Sequence, residues 1–400
     1  MPPFSALFGT AELSATMEMA ARARALREQG HQVISLSLGE PDFAPAPHIL
    51  DAADTAARHG ATKYTAVNGI LPLRTAIAEK FQRDHGLTTS PNDIVVGNGA
   101  RQVIFNALMA ILDPGCEIVI PSPYWNAYPL IATAAGAASR FVPCHAQDDF
   151  LPDPEALAAQ ITARTRCVVL NFPNNPTGAV CPADHLEKLG EVLRAHPHLW
   201  ILSDDIYEQL IHDGSPHVTL AQICPDLAPR TLTIGGVSKS YAMTGFRVGY
   251  AAGPKDFISA ITRVQGLATG GVCAIAQAAA TAALTGPQEQ VTLMRETYAE
   301  RAQLVAASLK AIPGVRSATP KGAFYAFPDV SEWIGKTTAK GVHLATDTDI
   351  TLALLQEHHV AIVAGSAFGA AGHVRLSTAA ATPDLTQALA RIGNFARGLA

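Results

Sequence analysis

Thr231-Leu232-Thr233-Ile234-Gly235-Gly236-Val237-Ser238-Lys239-Ser240-Tyr241-Ala242-Met243-Thr244-Gly245-Phe246-Arg247 begins as a strand-like run and passes into small residues around a single lysine. Gly235, Gly236 and Ser238 remove steric bulk from around Lys239, so an amine there can approach another group closely. An arginine follows eight residues later. Taken alone, a lysine after a strand reads as a solvated surface residue. Its meaning depends on what ends the neighbouring strands.

Working outward, strands and helices alternate from residue 94, the pattern of an α/β domain with a mainly parallel sheet. Strands are expected at 94–97, 117–121, 167–172, 199–203, 231–234 and 248–252, with helices at 101–112 and 183–196 between them. Ahead of them the pattern predicts a helix over 13–29, a strand over 33–38 and the turn Gly39-Glu40-Pro41-Asp42. Two helices follow, one ending at Gly60 and one at Gly86. Beyond Gly286-Pro287, Val291, Met294, Tyr298, Ala302, Val305, Leu309 and Ile312 stripe a long helix that stops at Pro313-Gly314. Strand-like 323–327, a helix near 349–358, strand 360–364 and His373-Val374-Arg375-Leu376-Ser377 then suggest a second, α+β layer. The expected division is a large domain over 44–285 and a smaller one built from 1–43 and 286–400.

Composition bounds the function. The 400 residues are 48% hydrophobic and 16% charged, as suits a large buried interior. A net charge of -5 without blocks of like charge argues against nucleic-acid or anionic-membrane partners. The start Met1-Pro2-Pro3-Phe4 lacks a basic leader, and no apolar run has membrane length, so the chain reads as cytoplasmic. Six cysteines are scattered without a C-x-x-C pair, and 14 histidines form no H-E-x-x-H, so no metal site is expected.

Ligands in such sheets gather at the carboxyl ends of the strands. After 94–97 comes Gly97-Asn98-Gly99-Ala100-Arg101-Gln102, whose small residues at a helix start offer free amides to a phosphate. Gln102 stands where a dinucleotide fingerprint needs its third glycine. After the next strand, Trp125 offers a flat ring for stacking, though a tryptophan there also reads as core. Asn171-Phe172-Pro173-Asn174-Asn175-Pro176-Thr177-Gly178 makes a rigid loop with an amide at Asn175. Asp204 leaves an apolar strand and needs a cation or hydrogen bonds unless it merely caps a helix, and Tyr207 adds a phenol. Together these groups describe a receptor for pyridoxal phosphate. Lys239 forms the Schiff base, a carboxylate keeps the ring nitrogen protonated, and Arg247 with backbone amides neutralises the phosphate.

With these motifs, and with Gly39-Glu40-Pro41-Asp42-Phe43 and Ala242-Met243-Thr244-Gly245, the sequence resembles the class I/II aminotransferases of PLP fold type I over nearly its whole length. Within that family it is most similar to bacterial aspartate aminotransferases, including those that accept prephenate. The resemblance implies a seven-stranded sheet and a homodimer with shared active sites. It also implies that Lys239, Asp204 and Tyr207 are catalytic. Gly99, Ala100, Arg101, Trp125, Asn175, Ser238 and Arg247 would bind the cofactor with them, and Tyr64 would reach the neighbouring subunit's phosphate. Gly39, Trp125, Asn175 and Arg375 would hold the amino acid, Arg375 gripping its α-carboxylate in a bidentate pair.

Three positions depart from the aspartate-type pattern. Glu12-Leu13 replaces a common Lys-Pro, Arg101 replaces a lysine that in relatives meets an acidic side chain, and the loop expected over 267–274 lacks a serine at Ala274. They bear on specificity rather than catalysis. An aromatic or specialised amino donor and a PLP-dependent β-lyase remain alternatives on the same residues. A transcription regulator would need a DNA-binding module ahead of Ser14, where no room is expected, and a nicotinamide dehydrogenase lacks its fingerprint.

Overall fold

The computed structural model describes residues 15–400. Glu12 and Leu13 therefore lie outside the described residues. The large sheet has seven strands: β1 (Ile94–Gly97), β2 (Glu117–Ser122), β3 (Ala138–Pro143), β4 (Thr165–Asn171), β5 (Trp200–Asp204), β6 (Thr231–Gly236) and β7 (Gly249–Ala252). Their spatial order is β1-β7-β6-β5-β4-β2-β3. Only β7 is antiparallel to its neighbours, and the other pairings are parallel. The remaining strands therefore run the same way and bring their carboxyl ends to one edge. β3 is the strand that hydrophobic pattern misses. It lies at the sheet border, and of its six residues only Val142 is buried, so no continuous apolar run marks it.

Both faces of the sheet are covered, which is why its inner strands read as unbroken apolar runs. Val95, Ile118, Ile120, Val169, Leu202 and Ile234 pack on one face with helices Ala100–Ile111 and Lys255–Ala268. The alternate residues Val119, Val168, Leu170 and Ile201 meet helix Ala183–Arg194 on the other. Ile94, Val96 and Tyr250 meet helices Leu71–His85 and Ala274–Thr285 there. The last of these is so rich in alanine that its apolar stripe has little contrast in the sequence. Together with Lys255–Ala268 it reduces the expected 267–274 loop to a turn over 269–273.

The C-terminal part shortens the expected strands. Residues 360–364 split into Val360–Ala361 and Val363–Ala364 because the chain changes partner at Ile362. The first piece pairs in parallel with Ile34–Ser35, the second antiparallel with Val374–Ser377. The expected strand at 33–38 accordingly stops at Ser35, and the Ser37 carbonyl turns to Arg375 instead. Leu36 joins Val305, Leu309, Trp333, Leu354 and Phe395 in a separate apolar cluster. We propose the division at 44–285 against 1–43 with 286–400 on that separate core. Asp42 and Arg301 join the segments across it through two 2.8 Å hydrogen bonds.

β7 lies against the loop that follows β1. A Cβ on Gly249 would overlap the backbone nitrogen of Ala100 and approach the Gly99 carbonyl carbon to 2.5 Å. Backbone cannot yield as a side chain does. Gly249→Ala should therefore destabilise the protein by about 1–3 kcal/mol in urea unfolding.

Candidate active site

A cavity of about 440 Å³ opens where the strand ends converge. Gly39, Ala100, Arg101, Trp125, Asn175, Asp204, Tyr207, Ser238, Lys239, Arg247 and Arg375 all line it. Two expected site residues do not. Gly99 sits just behind the wall as N-cap of helix Ala100–Ile111. Tyr64 is outside, with its side chain wholly exposed.

Lys239 follows β6 and donates from Nζ to the Gly39 carbonyl at 2.6 Å. Dense protein around the amine pushes its pKa down to about 8, with Glu40 opposing and Arg247, Arg375 and Arg101 reinforcing the fall. Asp204 ends β5 and is 3% exposed. Its Oδ2 accepts from the Tyr128 hydroxyl at 2.5 Å, and its backbone carbonyl accepts from Asn171 Nδ2 at 2.7 Å. Burial, reinforced by the like charge of Asp205, nevertheless raises its pKa to about 6, because the Tyr128 phenol, the Ile206 amide at 3.4 Å and the Lys239 charge do not make up for the lost water. Tyr207, also buried, has its hydroxyl 2.7 Å from that of Tyr325. Burial drives the Tyr207 phenol well above its usual pKa, so it stays protonated.

One corner is cationic. Arg247 Nη2 donates to the Asn98 carbonyl at 3.3 Å and Nη1 to that of Thr244 at 2.8 Å. Its backbone is left-handed at φ 58, an uncommon state for a side-chain-bearing residue that concentrates at functional sites. Gly99, at φ 82, is bare where a Cβ would strike the Arg247 guanidinium. The Arg101 guanidinium stands 4.9 Å from the Trp125 ring centre. Burial and the neighbouring Arg247 depress its pKa. Two guanidiniums close enough for Arg247 to depress the Arg101 pKa, at a helix start and in no ion pair with a described carboxylate, make a seat for an anion.

Arg375 lines the same cavity. Its guanidinium lies between the rings of Tyr325 and Phe368, at 4.7 and 4.6 Å. It donates to Asn175 Oδ1 at 2.9 Å and to the Ser37 carbonyl at 2.6 Å, while Nε has no partner. Rings and acceptors hold the fork rigid, and it carries a buried charge without a carboxylate.

Sequence reasoning missed Tyr128 and Tyr325. Tyr128 had a signal in its place, three residues after Trp125 at the start of helix Ala127–Ala134, where its ring meets that of Trp125 edge to face at 5.3 Å. Tyr325 had none, because it meets Tyr207 from 118 residues away. Gly39 has its reason in the same place: a Cβ there would collide with the Tyr325 hydroxyl.

The chain belongs to the family "Aminotransferase class I and II", whose model matches residues 31–392. It is an aminotransferase. It is 46% identical over 380 residues to an aspartate aminotransferase of Rhizobium meliloti, covering 95% of this chain and 93% of the relative. It is 46% identical over 386 residues to the aspartate/prephenate aminotransferase of Cereibacter sphaeroides, covering 96% of each. Among solved structures, the Rhizobium meliloti aspartate aminotransferase superposes with a TM-score of 0.96 at 44% identity over the full length of both chains. The Thermus thermophilus aspartate aminotransferase with maleate gives 0.91 at 38%, covering 99% of this chain and 100% of that one. The fold is that of the aspartate aminotransferases, PLP fold type I, as the motifs implied.

Tyr128→Phe removes the shortest hydrogen bond to the Asp204 carboxylate. The Asp204 titration midpoint, followed by infrared difference spectroscopy on cofactor-free protein, should rise above about 6 by about one pH unit or more.

Proposed function

We propose that this aminotransferase moves an amino group between aspartate or glutamate and a 2-oxo acid such as 2-oxoglutarate, using pyridoxal phosphate. The observation that carries the reading is the convergence of Lys239, Asp204, Arg247 and Arg375 on one cavity. The residues fit that cofactor. Asp204 is a buried carboxylate short of a cation, and a protonated ring nitrogen would supply one. Arg247 and the backbone amides of the Gly99-Ala100-Arg101 loop suit the phosphate, Trp125 offers a stacking face, and Tyr207 and Asn175 offer donors for the ring oxygen. When bound, the cofactor would contribute an aldehyde carbon that can take up and release an amino group and a ring that accepts electrons from it.

The chain's own residues account for the rest. Arg375, preset between two rings, would take the substrate α-carboxylate in a fork-to-fork pair, supported by Asn175. The Lys239 amine, once free, would take the α-proton at Nζ and return it across the same cavity. A pKa near 8 leaves a usable neutral fraction at physiological pH. Tyr207, held protonated by burial and braced by Tyr325, would donate without being consumed. Arg101 at the cavity wall would meet the distal carboxylate of an acidic substrate. The aspartate-directed names of the relatives and the maleate bound by the Thermus protein support that choice. We further propose a homodimer. Tyr64 and Leu267, at 104% and 91% exposure, are large apolar groups whose bareness is explained if a second copy covers them. A cytoplasmic location also remains our proposal; no described helix is long and apolar enough to cross a membrane.

Mixing the cofactor-loaded protein with a panel of amino acids and following its visible absorbance tests the reading. Aspartate and glutamate should bleach it rapidly, and indifference to both would reject them as donors. Preferential bleaching by aromatic amino acids would favour the reading suggested by the relative that also accepts prephenate. Lys239→Ala should abolish turnover with every donor. The rate at which apo-protein captures the cofactor should rise about tenfold per pH unit below the Lys239 pKa and level off above about 8, because the neutral amine is the nucleophile. Stopped-flow absorbance reads that profile directly.

A further inference from the structure

Directly behind the turn that carries Asp204 and Tyr207 lies a second cluster of ionisable side chains, none of which reaches the cavity. Glu208 is 7% exposed and pairs with two groups of helix Leu71–His85. Lys80, 2% exposed, meets its Oε2 in an ion pair, and His85 Nε2 lies 2.6 Å from the same oxygen. Lys80 Nζ and His85 Nε2 are themselves 3.0 Å apart. The neighbouring Gln209 donates to Asp84 of that helix at 3.2 Å. At the other end of the turn, Asp205 Oδ1 accepts from the Ser203 hydroxyl at 2.8 Å, and Oδ2 lies 3.3 Å from His217 Nε2. The His217 ring meets that of His85 edge to face at 5.7 Å. Phe81 and Tyr250 close the cluster with a further edge-to-face contact.

Two features separate this arrangement from ordinary packing. Buried ion pairs are poor sources of stability, since desolvation offsets most of the attraction, so a cluster this enclosed calls for another explanation. Its contacts also alternate with the functional ones: Asp204 and Tyr207 face the cavity, while Asp205 and Glu208 face the rear. The pairing with Lys80 and His85 outweighs burial and holds Glu208 ionised well below the usual carboxylate range. A charged strut has one length and one direction, whereas an apolar contact can slide.

We propose that Glu208, gripped by Lys80 and His85, is a positioning residue that sets the place of the Asp204 carboxylate and the Tyr207 hydroxyl relative to Lys239. The inference rests on the roles proposed above for Asp204 and Tyr207. It makes helix Leu71–His85 part of the catalytic apparatus, although none of its residues touches the cavity.

Three variants test it: Glu208→Gln, the doubly apolar Lys80→Met/Glu208→Leu, and Asp204→Ala as the control for the underlying reading. The double variant removes the Lys80–Glu208 pair together but leaves His85 without its carboxylate and Asp84, 3.7 Å from Lys80, without that cation, so it should still fold, with a modestly lowered melting temperature. It should nonetheless lower kcat at least tenfold with KM changed less than threefold. It should also weaken cofactor binding to apo-protein, read by quenching of tryptophan fluorescence, and move the pH midpoint of the bound cofactor's visible band. Glu208→Gln should show the same signature in smaller degree, since it keeps the length of the strut but loses its charge. A folded double variant with kcat within twofold of the parent and an unmoved spectral midpoint would overturn the proposal and leave the cluster a structural feature. If Asp204→Ala itself retained parental kcat and spectrum, the reading of Asp204 would fail instead, whatever the cluster variants did.

Discussion

A carboxylate buried at the end of a central strand constrains everything around it. Asp204 is enclosed by β5, the Asn171 loop and Tyr128, and among the described residues only a phenol and one backbone amide address its carboxylate oxygens. Desolvating a carboxylate costs several kcal/mol unless a cation or a full set of donors replaces the water. The surroundings stop short of that, which leaves a carboxyl titrating near 6 and a strong demand for a positive partner in the cavity. A protein that retains such a group is organised to receive a ligand rather than to maximise its own stability.

The other charges follow the same logic with the opposite sign. Arg375, Arg101 and Arg247 line the cavity with no ion pair to a described carboxylate, and their field helps lower the pKa of Lys239. An anionic cofactor and an anionic substrate would relieve this excess. Depressing the lysine pKa has a consequence for chemistry, because the amine becomes a nucleophile and a base within reach of physiological pH. On the proposed roles, one arrangement of arginines would serve for recognition and for reactivity.

Rigidity is supplied from behind. β7 presses Gly249 against the loop at Gly99 and Ala100, and Tyr325 fills the space that Gly39 leaves vacant. The ion cluster of Lys80, His85 and Glu208 holds the turn that bears Asp204 and Tyr207. If the proposed roles hold, the groups that must act within fractions of an ångström are those held by backbone contacts and buried charges, both of which resist sliding.

The sequence by itself determined the layered α/β class, because strands covered on both faces show as apolar runs, and those runs put Lys239, Asp204, Asn175 and Trp125 at strand ends. It located the strand at β1 to the residue and the left-handed stop at Gly86, where glycine alone relieves the backbone. It could not reveal β3, whose border position leaves it without an apolar signature. Nor could it reveal the splitting of 360–364, which reflects a change of partner. Only the tertiary structure decided that Tyr325 braces Tyr207, that Tyr128 serves Asp204, and that Glu208 is tied to a helix more than a hundred residues away. The physical reason is range. Hydrophobic periodicity records what each residue needs from its own element, while a hydrogen bond between distant elements leaves no trace until both are in place.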